Sequence, residues 1–137
     1  MIVLFEGISF MPKIGIHTQK IPPITSVKDK RVNSAAGIDF DPISKKIYTI
    51  EHGPRGGDEI NFIEKGKNYG WPIITYGKED WGPSIGEGTH KKGLEQPIHY
   101  YVPSIAPCGL TIYRGKKYPK WEGNLFAAAL KLEHLNR

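Results

Sequence analysis

A single cysteine, Cys108, stands among 137 residues, so no disulfide can form within the chain. No apolar run approaches the roughly 20 residues that a membrane-spanning helix needs, and no membrane span is expected. The opening residues are apolar, yet they lack a basic flank, an apolar stretch of signal length and a small-residue cleavage site. No export signal is therefore read there. Cysteine and histidine are not clustered at zinc-binding spacing. The net charge of +5 comes from 19 Lys and Arg against 14 Asp and Glu, with acids close to bases, as in Lys28-Asp29-Lys30 and Glu64-Lys65. Without a basic stripe interleaved with aromatics, this is a solvated basic surface, and no nucleic-acid partner is expected.

Backbone punctuation is what the chain has in abundance. Gly 16 and Pro 11 in a sequence without low-complexity runs imply many short elements joined by turns. Residues 1–30 carry Pro12 and Ile21-Pro22-Pro23-Ile24, read as extended or turn segments, and are left unassigned. From residue 36 the pattern sharpens. Residues 36–40 and 47–50 are alternating or β-branched runs around a Pro42-bearing turn, which predicts a hairpin. Residues 59–63, 98–102 and 108–113 read as further strands. Residues 125–130 have helix-forming Ala and Leu, but Gly123 and the surrounding strand cadence favour a buried strand. The stretch 77–96 is polar and aperiodic, a surface excursion. The fold class is all-β. Its rhythm of hairpin, loop, strand, long loop and hairpin matches propeller blades of about 40–50 residues, with a β-sandwich as the rival. The chain is expected to stop directly after its last core strand, without a closing element.

The densest chemistry lies between Glu51 and Asn61, followed by Asn68-Tyr69-Gly70-Trp71-Pro72. Gly53-Pro54 and Gly56-Gly57 permit tight backbone conformations that let carbonyl oxygens converge. Asp58 and Glu59 add anionic oxygens, and Tyr69 a hydroxyl. Hard oxygens of this kind suit Ca²⁺, which takes six to eight of them in flexible geometry. On composition alone, a glycine-rich turn with solvated acids explains the segment as well, and Tyr69 and Trp71 serve equally as core aromatics. His52 is a possible ligand or base, though a lone loop histidine is more often neither.

These blocks closely resemble the signature of the soluble PQQ-dependent glucose/sorbosone (aldose sugar) dehydrogenase family. Further blocks agree in order: residues 37–42, Glu95-Gln96-Pro97, residues 103–110, residues 121–126 and Ala129-Leu130-Lys131. The resemblance implies that residues 31–137 are part of a six-bladed β-propeller, about two to three blades of it, and that complete relatives are quinoproteins oxidising aldose sugars by hydride transfer to PQQ. One calcium is implied against the quinone, held partly by main-chain carbonyls of Gly53 and Pro54. A second is implied at Glu59 and Tyr69, with Glu79 a looser candidate. Lys131 is implied to face the quinone carboxylates, and Ser104 to lie near the same cofactor. Relatives of this type act in the periplasm or outside the cell.

The departures from the pattern matter. Where the family carries an Arg-Asn pair and a Gln that reach the cofactor, this chain has Asn33, Ser34 and Ala36, none of which replaces a bidentate guanidinium. Arg31 would need a shifted register. Neither His17 nor His52 stands in the context of the family's proton-abstracting histidine, so the general base is expected to be missing from this chain. The expectation is a truncated portion, inactive alone. The alternative is a non-catalytic, calcium-stabilised propeller portion, or the remnant of a split gene, that binds a partner or self-associates through uncovered sheet edges.

Overall fold

A computed structural model describes residues 34–79 and 84–137. The first sheet contains β1 (Ala35–Asp41), β2 (Lys46–Glu51), β3 (Asp58–Ile63) and β4 (His99–Tyr101), in that order and antiparallel throughout. The second contains β5 (Pro107–Ile112), β6 (Leu125–Ala129) and β7 (His134–Asn136), again in chain order and antiparallel. The described residues include one 3₁₀ turn, Pro119–Trp121, and no α-helix. The architecture is the expected all-β one: a partial β-propeller with a four-stranded blade followed by three strands of the next. Residues 1–33, and with them Arg31, Asn33 and His17, lie outside the described residues.

Local chemistry explains the first hairpin. The Asp41 carboxylate accepts hydrogen bonds from the N–H of Ile43 and Ser44 and from Ser44 Oγ, which closes the turn that Pro42 opens. β2 then runs back with Ile50 opposite Gly37, while on its other side β3 places Ile60 opposite Ile50. Ile50, Ile60 and Ala127 form the buried centre, with Ala36, Tyr101, Leu110 and Leu125 packed against it. The core is therefore the seam between the two sheets.

That seam needs a glycine. A Cβ on Gly37 would lie 2.6 Å from Leu110 N and 2.9 Å from the Gly109 carbonyl carbon. β1 and β5 thus approach backbone to backbone, each at a register irregularity. Polar brackets flank the contact. Asp39 accepts from Ile112 N–H and Thr111 Oγ1, and Arg114 reaches from the second sheet to Asp41 while also pairing with Glu122.

Residues 125–129 form a strand despite their helix-forming composition. Phe126, Ala127 and Ala129 are buried, and tertiary burial outweighs a propensity difference of a few tenths of a kcal/mol per residue. A strand that the sequence pattern did not suggest follows: β7 returns along β6 with Ala127, Ala128 and Ala129 opposite Asn136, Leu135 and His134. The reversal uses left-handed backbone at Leu132 and Glu133, residue types that rarely adopt it. The described part of the 77–96 excursion has no regular element and folds back on residues 68–75, through Thr75 N–H to Gly88 O, Glu87 N–H to Ile73 O and Glu95 N–H to Asn68 O.

The Arg114 bracket carries a pH signature. Hydrogen bonding from Ser44 Oγ, then from Ile43 N–H and Arg114, holds the Asp41 carboxyl well below the usual carboxylate range, against the opposing effect of burial. Arg114 and the Gly115 N–H lower Glu122 in the same way. A carboxyl depressed in the folded state adds stability above its unfolded pKa and loses it as pH falls toward the folded one. Denaturation midpoints are therefore expected to drop from about pH 5 toward pH 2, and Arg114→Gln should make that drop shallower. Parallel acid profiles for the two proteins would refute the bracket.

Candidate functional site

The β2–β3 connection curls on itself. Gly56 and Gly57 take φ of +82° and +72°, which glycine adopts without cost. Gly53 has no such φ, but a Cβ on it would lie 2.1 Å from Gly56 O and 2.5 Å from Gly57 O. Gly57 in turn sits so close to Gly77 that a Cβ would meet its nitrogen at 2.2 Å. The loop is held at its base by Gly53 N–H donating to Asp58 Oδ1, at 2.9 Å, and by Gly57 N–H donating to Tyr101 O, at 2.7 Å. Gly56 O and Gly57 O thus lie close against Gly53.

Behind the loop lies a buried acidic cluster. Pairing of Glu51 with Glu59 and of Thr49 with Asn61 puts all four side chains on one face of the first sheet, opposite to the apolar seam. Glu51 Oε1 accepts from Thr49 Oγ1 and from Asn61 Nδ2, both at 3.0 Å. Asn61 is fully buried, and its Oδ1 has no hydrogen-bond partner. Burial first, and then the charge of Glu51, push the Glu59 carboxyl up to about 7, while the Asn61 amide acts against them. A cavity of ≈ 10 Å³ opens here, lined by Glu51, His52, Glu59, Tyr69, Trp71 and their neighbours. That is room for one water or one bare ion.

Glu59 and Tyr69 line one cavity. The Tyr69 hydroxyl has other work: it donates to Phe62 O and accepts from Glu64 N–H, each at 2.7 Å. Glu79 is exposed and does not line the cavity. Sequence reasoning passed over Glu51 and Asn61. Their alternation with Ile50 and Ile60 was the available signal, but only the register shows that they converge. Among the described residues, no three His, Cys, Asp or Glu side chains gather to hold a metal, so a cation here would also need amide or backbone oxygens.

A second feature opens beside the same loop. A cleft of ≈ 340 Å³ is lined by Tyr100, Tyr101, Ser104, Lys131 and His134, with Val102 and Leu132 among its apolar parts. Lys131 and Ser104 are thus brought together. Tyr100 is held by stacking on Tyr76, with ring centroids 3.8 Å apart. Gly56 adjoins the cleft wall, since a Cβ there would touch Val102 at 3.5 Å and Ser104 N at 3.7 Å. The Ser104 hydroxyl donates to the Asp58 carboxylate. Ser34 O accepts from His52 N–H, and Ala36 packs into the core, so neither supplies the missing guanidinium.

A sequence model of the glucose / sorbosone dehydrogenase family matches residues 31–137. Aldose sugar dehydrogenase YliI of Escherichia coli is 44% identical over 102 residues, covering 73% of this chain and 28% of that protein. Quinoprotein glucose dehydrogenase B of Acinetobacter calcoaceticus is 32% identical over 98 residues, 69% of this chain and 19% of that one. The crystal structure of the soluble E. coli aldose sugar dehydrogenase in its apo-form superposes with a TM-score of 0.69 at 43% identity, covering 74% of this chain and 30% of that structure. A glucose dehydrogenase crystal structure gives 0.70 at 43%, with the same coverage. The chain spans less than a third of the length of these relatives.

The two bonds of the Tyr69 hydroxyl predict a local cost. Tyr69→Phe should destabilise the fold by about 1–2 kcal/mol, because it leaves Phe62 O and Glu64 N–H without that partner. Urea denaturation reads this directly, and an unchanged midpoint would mean that the hydroxyl contributes nothing to the loop.

Proposed function

The chain belongs to the glucose / sorbosone dehydrogenase family, and on that premise we propose that it forms the calcium- and quinone-binding portion of an aldose sugar dehydrogenase. The observation that carries this reading is the convergence of three loops at one end of the two sheets. Residues 53–57, 102–106 and 130–133 meet there, beside a buried carboxylate pair.

The residues fit the groups that the family implies. Glu51 and Glu59 bring negative charge into a cavity of single-ion size; Asn61 does not line that cavity, but its unpartnered Oδ1 is buried on the same sheet face. The Gly53 and Pro54 carbonyls belong to the curled loop next to the cleft and would supply main-chain oxygens. The cleft suits a flat anionic ligand: Tyr100 and Tyr101 provide ring surface, and the Lys131 ammonium pairs with carboxylates. PQQ, when bound, would supply the hydride-accepting carbonyl, and an adjacent calcium would polarise it. The chain's own part is to bind and orient. Lys131 fixes the anionic rim, the aromatic wall excludes water from one face, and the Gly53–Pro54 loop sets the depth of the site. No residue of this chain is assigned the removal of the sugar hydroxyl proton, so turnover is proposed for the larger protein and not for this segment alone.

A second reading, a non-catalytic portion that binds a partner, is favoured by one observation. Leu130, Leu132 and Leu135 are 65%, 84% and 62% exposed, an apolar surface that water alone covers poorly. A solution mass of twice the chain or more, with no calcium response, would select that reading.

Calcium is the direct test. Added at about a hundredfold excess over its Kd, it should raise the melting temperature by roughly 5 °C or more, since binding to the folded state alone contributes about 2.7 kcal/mol there. In Glu59→Gln most of that rise should vanish. If millimolar calcium leaves the wild-type melting curve where it was, the metal assignment is wrong.

A further inference from the structure

We infer that Asp58 is a positioning residue, whose buried carboxylate locks the Gly53–Pro54 loop to the Ser104–Ile105 loop and, through it, to Lys131. The inference rests on the functional reading above, because it concerns how that site is held. Asp58 is 0% exposed. Its Oδ1 accepts from Gly53 N–H at 2.9 Å and from Ser104 Oγ at 2.9 Å. Its Oδ2 accepts from Ser104 Oγ at 2.7 Å and from Ile105 N–H at 2.7 Å. The chain then continues the tie: Ile105 O accepts from Lys131 N–H at 3.1 Å, and Ala106 O from Leu130 N–H at 2.9 Å. Ser104 Oγ also accepts from Ala106 N–H at 3.1 Å, which fixes the loop internally.

Three connections that are remote in sequence thus hang on one side chain. Asp58 and Ile105 are 47 positions apart, so no local turn demands the contact. A buried carboxylate is costly to desolvate, and an apolar residue would fill the same space at less cost. What an apolar residue cannot do is set the direction of two backbone N–H groups at once. Because Gly53 N–H is held, the neighbouring carbonyls of the loop have one orientation. Because Ile105 is held, so is the carbonyl that receives the Lys131 N–H. The group proposed to meet the cation and the group proposed to meet the quinone carboxylates therefore share a frame. Asp58 itself touches neither.

The test uses the full-length protein and PQQ as the probe. Asp58→Asn keeps the shape but replaces one acceptor oxygen with an amide that faces N–H donors. It should weaken PQQ binding about tenfold where Lys131 is intact, and less than about threefold in a Lys131→Ala background, because the two act through one frame. Amide hydrogen exchange should accelerate together at Gly53, Ile105 and Lys131. Equal losses in both backgrounds, or acceleration that spares Lys131, would overturn the inference. Should Asp58→Asn not fold, Ser104→Ala should accelerate exchange at Ile105 and Lys131 and Ser104→Thr should restore it; exchange unchanged in Ser104→Ala would also overturn it. A wild-type protein that takes up no PQQ would sink the functional reading instead, and the exchange pattern would still decide whether Asp58 couples the loops.

Discussion

The register of β2 on β3 is the constraint from which both the core and the candidate site follow. With Ile50 opposite Ile60 and Glu51 opposite Glu59, the two isoleucines face the seam and the two carboxylates face away from it. Side chains alternate along a strand, so a slip of one residue would turn the carboxylates into the seam and the isoleucines out of it. The cost of that error is far larger than any single interaction at the site. Burial of an isoleucine is worth about 1.5–3 kcal/mol, and an unpaired carboxylate in its place would cost several more. The apolar core thus fixes the position of the acidic cluster without any contact between the two.

Close backbone approach is the second theme, and it recurs where function is proposed. Gly37 lets β1 lie against β5, and Gly53 and Gly57 let the β2–β3 loop fold tightly against itself and against Gly77. In the first case the gain is a dense seam between sheets. In the second it is a tightly curled loop that packs beside Val102 and Ser104 of the neighbouring cleft. The same physical property serves packing between sheets at one place and the shape of a loop at the other.

Much of this was legible in the sequence. Alternation at 36–40, 47–50 and 59–63 gave three strands of the first sheet within a residue or two, and the run at 125–130 was correctly a strand because Gly123 and its neighbours outweighed its alanines. Residues 51–61 and 68–72 read as one segment of interest in the sequence, and Glu51, His52, Glu59, Tyr69 and Trp71 line one cavity. Other parts were hidden for definite reasons. β7 depends on left-handed backbone at Leu132 and Glu133, which carry no turn signature. Glu51 and Asn61 each look like an ordinary polar position on an alternating strand, and only pairing shows them side by side. The role of Asp58 depends on Ser104 and Ile105, contacts that no local pattern announces.

If the proposed cation binds at the acidic cluster, it would belong to the stability of this fold as well as to its chemistry. Two carboxylates meet across β2 and β3, and the neutral groups around them satisfy them only in part. Thr49 and Asn61 donate to Glu51, while Asn61 Oδ1 is left without a partner. Alone, such an arrangement opposes folding, because desolvation and like charge both raise the free energy of the ionised pair. A hard divalent ion in the cavity that Glu51 and Glu59 line would change the sign of the charge effect. The free energy of binding then becomes free energy of folding, since an unfolded chain presents no such set of oxygens. A site of this kind would couple the order of the 53–57 loop to calcium, and calcium would in turn be held most tightly when that loop is in place.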